Sequence, residues 1–197
     1  RDLVRSRGLG DVYKRQVDII VEVEGFKSTL LKINRPKWID VYKHYPKINA
    51  GTLNENDEPA VSVFKRIFGE DYDRRIFVNA CATRVSIALL GANIKVKGDF
   101  VILKGEYKGR RIITSAIKLL KWLSSDSVFG KADIIINSPS CFNDVYSKLK
   151  EKKGIYILES NNYRWASGHA TLWYNGNAIG KHNYWNHAKS VHFWELK

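Results

Sequence analysis

The chain has 197 residues, 44% of them hydrophobic, with two cysteines, no methionine and a formal net charge of +13. This length supports one domain with a buried core, two cysteines exclude a disulfide framework, and the sequence lacks an apolar run of the roughly 18 residues that a membrane span needs. The absence of methionine indicates that the translational start is missing from this sequence, and no apolar stretch of a signal peptide follows its Arg-rich first residues.

Residues 1–16 resemble a translated sequencing adapter, and we expect them to be foreign to the native protein. They carry a net charge of +3 and leave +10 for residues 17–197. The alternative is an ordinary basic, disordered N-terminal arm. Residues 17–197 are predicted to form a single domain.

The first two thirds of this domain are mainly helical by pattern. A β-branched run predicts a strand over 17–23. Proline positions and apolar spacing predict helices from Arg35 to Pro46 and from Pro59 to Phe68, the latter with Val61, Phe64 and Phe68 on one face. Apolar stripes predict further helices over 81–90, 112–123 and 142–152, and an apolar run predicts a buried strand over 132–136.

The last third is predicted to be a strand meander. Strand-like runs occupy residues 155–158, 169–173 and 191–196, and turn residues such as Asn175-Gly176 separate them. Helices followed by a meander indicate an α+β fold in which N-terminal helices pack on a mainly antiparallel sheet.

The net positive charge has three possible interpretations. A high pI favours nucleic-acid binding, but the basic residues are scattered, which is more typical of a solvated cationic surface. Attraction to an anionic bacterial wall is the third reading. A non-enzymatic basic module that binds nucleic acid or cell-wall polymer is therefore the alternative to an enzyme.

Cys81 is the candidate nucleophile because it lies in the first turn of a predicted helix. Unpaired backbone N–H groups and the helix dipole lower the pKa of a thiol there. His169 opens a strand after Ser167-Gly168 and is the candidate general base. The backbone N–H of Cys81, supported by Asn79, is the candidate oxyanion donor.

The remaining cysteine and histidines carry weaker signals. Cys141 also begins a predicted helix, but no Gly-His block accompanies it. His182, His187 and His192 are spaced by five residues, which fits neither one helix face nor one strand face, so we expect no metal site and no cofactor.

Four sequence blocks occur in an order that is recognisable. They are Arg35-Pro36-x-Trp38 with Tyr45-Pro46, Asn79-Ala80-Cys81-Ala82-x-Arg84-x-Ser86, Gly168-His169-x-x-Leu172-Trp173, and the closing Phe193-Trp194-Glu195-Leu196. Together they resemble the type VI secretion amidase effectors of family four, over about residues 32–197.

The resemblance implies an NlpC-type, papain-like cysteine peptidase fold and a peptidoglycan amidase. Such an enzyme cuts the γ-D-glutamyl bond to meso-diaminopimelate in the stem peptide, with Cys81 as nucleophile and His169 as general base. It also implies a cognate immunity protein and the type VI secretion machinery as partners, with no nucleic acid, membrane insertion or cofactor. The toxin would be made in the bacterial cytoplasm, secreted without a signal peptide, and act in the periplasm of the target cell.

The third catalytic group departs from the family pattern. The family usually has Asp on the C-terminal side of the histidine, whereas this chain has no Asp after Asp144. Asn183, Asn177 and Asn175 are the candidates, and Asn183 is favoured because it directly precedes an aromatic residue. An Asn carbonyl can orient imidazole, as in papain-like enzymes.

Overall fold

The computed structural model describes residues 16–17 and 33–197. Most of the predicted N-terminal extension, residues 1–15, and residues 18–23 of the first predicted strand lie outside the described residues. The predicted domain boundary after residue 16 stays a prediction.

The described residues form five α-helices, at or near the predicted positions. They are α1 (Trp38–His44), α2 (Ala60–Phe68), α3 (Cys81–Gly91), α4 (Ala116–Leu123) and α5 (Phe142–Leu149). The prediction of a helix from residue 112 was wrong at its start. Residues 111–112 pair as a short strand instead, and the Ser115 hydroxyl caps the helix by accepting from the Lys118 N–H.

Three two-stranded ladders precede the main sheet in the chain. They are β1 (Gln16–Val17) with β2 (Ile33–Asn34), β3 (Lys47–Ile48) with β4 (Asn56–Asp57), and β5 (Phe100–Val101) with β6 (Arg111–Ile112). The ladder of β3 and β4 carries Asp57, which accepts a hydrogen bond from the buried Tyr45 hydroxyl.

The main sheet has five antiparallel strands in the order β10-β9-β8-β11-β7. They are β7 (Ile134–Asn137), β8 (Gly154–Ser160), β9 (Gly168–Tyr174), β10 (Asn177–Ala178) and β11 (Ala188–Glu195). Asn175 and Gly176 join β9 to β10 with φ values of 51° and 77°, the left-handed pair that a tight hairpin turn requires. The α+β prediction is confirmed.

Helix α3 lies at the centre of the larger of two apolar clusters, on the side of the sheet that also receives α1 and α4. Its residues 82–90 are all buried. The Ser86 hydroxyl is satisfied within this core, because it donates to the Ile113 carbonyl and accepts from the Ile113 N–H. Helix α3 is therefore held on every side, which fixes the position of Cys81 at its start.

Helix α2 buries most of the predicted face. Phe64 is buried and Phe68 packs against the same core, together with Val63 and Ile67. The prediction was wrong for Val61, which is 46% exposed. Within the described part of the chain, no helix is long and apolar enough to cross a membrane.

Candidate active site

Cys81 and His169 meet where the start of α3 packs against β9. Cys81 is the first residue of α3, and its sulfur accepts a hydrogen bond from the backbone N–H of Ala170, the residue after His169. Both side chains line one cavity of about 410 Å³. The fold thus brings the two predicted catalytic residues together across 88 positions of the chain, although the structure forms no direct hydrogen bond between their side chains.

The cavity walls come from four parts of the chain. Strand β4 supplies Asn56 and Asp57, and the start of α3 supplies Cys81 with Asn79 and Arg84 on either side of it. The other two parts are the residues up to His169, with Trp165 and Gly168, and the segment after β10, with His182 and Tyr184. Asn79, the predicted support residue, is therefore at the site. Titratable groups and hydrogen-bonding side chains predominate, as in sites that move protons.

Burial controls the protonation of Cys81 and His169. His169 is only 9% exposed, and its Nε2 atom is buried with no hydrogen-bond partner among the described residues. Burial lowers the pKa of His169 to about 4, although the nearby Asp57 carboxylate acts in the opposite direction. His169 is therefore a neutral imidazole at neutral pH.

The predicted lowering of the Cys81 pKa was wrong in direction. Burial raises the pKa of the Cys81 thiol, and the hydrogen bonds from the backbone N–H groups of Ala170 and Ala82 oppose this only in part. The helix begins where the sequence predicted, but desolvation of the thiol outweighs the effect of the helix start on its pKa. The resting pair is a thiol beside a neutral imidazole, not a thiolate beside an imidazolium.

Asp57 is the charged group that the sequence reasoning missed. Its side chain is 6% exposed, and it accepts hydrogen bonds from the Tyr45 hydroxyl at 2.8 Å and from Arg84 Nη1 at 3.3 Å. It also lies 3.0 Å from Nδ1 of His182. Burial acts to raise the pKa of Asp57, but its bonds to His182, Arg84 and Tyr45 outweigh burial and lower it, so this buried group is a carboxylate.

Comparison with known proteins identifies the family. Residues 77–194 match the family model of Tae4, described as "Type VI secretion system (T6SS), amidase effector protein 4". The chain belongs to the Tae4 family. The resemblance drawn from the sequence motifs is thereby confirmed, and the family makes the chain a peptidoglycan amidase rather than the basic binding module that composition left open.

Solved Tae4 structures share the fold. The effector Tae4 from Enterobacter cloacae is 26% identical, with a TM-score of 0.63, over 83% of this chain and 98% of that one. The Tae4–Tai4 effector–immunity complex from the same organism gives 26% identity and a TM-score of 0.59, over 83% and 99%. The Tae4–Tai4 complex from Salmonella Typhimurium is 21% identical, with a TM-score of 0.61, over 83% of this chain and 100% of that one. At this identity it supports the fold alone. No curated protein matches the chain.

These likenesses confirm the predicted papain-like, NlpC-type fold for this amidase.

The same fold places the favoured third residue, Asn183, away from His169. Its amide donates to Asn177 Oδ1 at 2.9 Å and to the Lys181 carbonyl at 3.3 Å. In the described part of the chain no hydrogen bond joins His169 to Asn183, Asn177 or Asn175, and none of the three lines the cavity. The catalytic role of Asn183 stays a prediction that this geometry does not support.

Cys141 lies apart from the cavity. It is exposed and unpaired with the other cysteine, and it precedes α5 as the N-cap residue. Among the residues that the structure describes, no group of His, Cys, Asp and Glu side chains could hold a metal ion.

Proposed function

We propose that this amidase cleaves the γ-D-glutamyl–meso-diaminopimelate bond of peptidoglycan stem peptides, with Cys81 as nucleophile and His169 as general base. The hydrogen bond from the Ala170 N–H to the Cys81 sulfur carries the proposal, because it seats the thiol beside His169 at the wall of a shared cavity. Membership of the Tae4 family supplies the reaction class. The scissile bond is the one that the family resemblance implies.

The first half-reaction transfers one proton and exchanges one bond. Neutral His169 removes the thiol proton as the Cys81 sulfur attacks the γ-glutamyl carbonyl carbon, and a C–S bond forms. The imidazolium then gives that proton to the amine of diaminopimelate as the C–N bond breaks. Because burial lowers the pKa of His169, its imidazolium is a strong acid and donates readily to the leaving amine.

The second half-reaction restores the thiol. His169 takes a proton from a water molecule that attacks the thioester carbonyl carbon, the C–S bond breaks, and the thiolate recovers the proton. In both steps the carbonyl oxygen gains negative charge. The backbone N–H of Cys81 at the start of α3, with Asn79 beside it on the cavity wall, is the proposed donor set for this oxygen.

We also propose the partners and place of action. Tae4 of Enterobacter cloacae, 26% identical to this chain, is solved in an effector–immunity complex with Tai4, so we infer a cognate immunity protein for this effector. Type VI delivery would carry it from the cytoplasm of the producing bacterium to the periplasm of the target cell, where peptidoglycan is accessible.

A muropeptide digest tests the reaction. Purified tetrapeptide muropeptides, treated with the wild type and read by mass spectrometry, should yield a new free amine on diaminopimelate. Cys81→Ala should yield no product, because the nucleophile is gone, and Cys141→Ala, the matched control, should cut at the wild-type rate. Cleavage at another amide bond would overturn the proposed bond, and full activity of Cys81→Ala would overturn the proposed nucleophile.

A further inference from the structure

Asp57 is a buried carboxylate on the wall of the cavity. Its carboxylate is bound from three separate elements: Tyr45 after α1, Arg84 on α3 and His182 after β10. Tyr45 and Arg84 are themselves buried. Arg84 and His182 also line the cavity, and His182 is the more exposed of the two, with 33% of its side chain exposed against 10% for Arg84.

The contact with Asp57 fixes the tautomer of neutral His182. Nδ1 lies 3.0 Å from the carboxylate oxygen Oδ2, and a carboxylate only accepts hydrogen bonds, so the ring proton belongs on Nδ1. Nε2 is then left with a lone pair. His182 can therefore accept a hydrogen bond from another group in the cavity while it donates to Asp57.

The backbone around His182 is built to hold this ring. Gly180 has a φ of 64°, and a Cβ at this position would lie 2.2 Å from Asn56 Oδ1 and 3.0 Å from Cε1 of His182. Only glycine allows so close an approach. The ring of His182 also stacks on Tyr184, with centroids 5.8 Å apart and planes 10° apart.

His169 needs a partner of this kind. Its Nε2 is buried without one, and the groups that face its ring are His182, Tyr184, Arg84 and Asp57. Arg84 only donates hydrogen bonds, and Asp57 already accepts from three partners. Tyr184 meets the ring of His169 edge to face, with centroids 4.9 Å apart. His182 meets His169 edge to face at a centroid distance of 6.5 Å, a separation that one bridging water spans.

We propose that His182 is the positioning residue for His169, through one bridging water, and that Asp57 supplies the carboxylate of the site by holding His182. The acidic group thus comes from β4, ahead of the nucleophile in the chain, instead of following the histidine. The inference rests on the proposed roles of Cys81 and His169. When His169 takes the thiol proton, the Asp57 carboxylate stabilises the imidazolium through the His182 ring that it holds.

Kinetics with substitutions at His182 and Asp57 test the positioning role. His182→Ala should lower kcat by about 10- to 100-fold with KM within about twofold, because the substrate contacts are kept and the base is misplaced. His182→Gln, whose amide can donate to Asp57 and accept from the water, should recover kcat to within about fivefold of the wild type. Asp57→Asn should lower kcat by about tenfold. His192→Gln, on β11 and bonded to Ser190 outside the cavity, is the matched control and should match the wild type.

Titration of the His169 ring by NMR gives a readout that needs no turnover. Both His182→Ala and Asp57→Asn should lower the pKa of His169, because the first removes the acceptor that stabilises its imidazolium and the second removes a negative charge. A general loss of packing would instead expose His169 to water and raise its pKa, so a lowered pKa in both variants cannot come from it. If the wild type cuts no muropeptide but these shifts are seen, the proposed function fails while the linkage of Asp57, His182 and His169 stands.

Two results would overturn the inference. One is a His169 titration that neither substitution changes. The other is a His182→Ala variant with kcat within twofold of the wild type while Asn183→Ala loses tenfold or more, which would return the third role to Asn183. Because His182 is only partly buried, its substitution should leave the fold intact, and circular dichroism of each variant checks this.

Discussion

The two cysteines of this amidase share one local sequence signal and differ in everything around it. Cys81 is the first residue of α3, and its sulfur contacts the Ala170 N–H of a neighbouring strand at the wall of the cavity. Cys141 is the N-cap of α5. Its sulfur accepts a hydrogen bond from the Asp144 N–H, and the backbone N–H of Cys141 donates one to the Asp144 carboxylate. One sulfur is tied to another element and the other only to its own helix.

A position at a helix start therefore does not by itself make a thiol reactive. At Cys141 the unpaired helix donors are satisfied by a local capping box, and no histidine accompanies the exposed sulfur. At Cys81 burial even reverses the expected effect on the thiol pKa. What distinguishes Cys81 is the imidazole that lines the same cavity, so changes to burial, to the base or to the helix cap should affect the two cysteines differently.

The largest expected effect is on acid stability. Burial lowers the pKa of His169 to about 4 in the folded state, against about 6.5 when unfolded. The unfolded chain therefore binds this proton first, and stability should fall by about 3 kcal/mol as pH drops from about 6.5 to about 4. His169→Gln should remove that part of the loss, measured by urea unfolding at pH 7 and pH 4.5. Equal losses in both proteins would show that His169 is not buried as described.

The next effect is on the pH profile of the enzyme. Because the base is active only when neutral, kcat/KM should fall as pH drops through about 4. At pH 5.5 the wild type should keep most of its pH 7 activity, whereas a histidine with a pKa of about 6.5 would give a loss of about tenfold. A kcat/KM profile measured from pH 4 to 8 decides between a base with a pKa of about 4 and one with a pKa of about 6.5. An acidic limb centred near 6.5 would show that the base is exposed to solvent.

The smallest effect is at the other helix start. Cys141→Ser should stabilise the protein by about 0.5 kcal/mol, because a hydroxyl is a better N-cap acceptor than a thiol, and should leave kcat/KM unchanged. The measurement is the urea midpoint beside a muropeptide assay. A loss of activity in Cys141→Ser would show that the two cysteines are not as independent as their surroundings indicate.

The parts of the fold with strong local periodicity were predictable. The helices at 60–68 and 81–91 and the strand carrying His169 follow from apolar spacing and turn residues. The short pairing of residues 111–112 with 100–101 could not be found this way. Two-residue strands carry no period, and the apolar residues before Ser115 match a helical pattern as well as an extended one.

The site was predictable only where one residue type marks the chemistry. Cys81 and His169 could be found because thiol and imidazole are rare and each lies in a recognisable block. Asp57 and His182 could not, since they are 125 positions apart and only tertiary packing makes them neighbours. The one sequence signal was negative: the chain has no Asp after residue 144, where the family usually has its acidic residue.

The complete burial of α3 has a consequence for how this enzyme can lose its activity. Residues 82–90 have no solvent-facing side, so their amides should exchange with deuterium only when the whole core opens. The proposed nucleophile, Cys81, is thus attached to the part of the molecule that we expect to exchange most slowly. Its alignment should persist through fluctuations of the loops that form the cavity rim, and should disappear in a single step together with the tertiary structure.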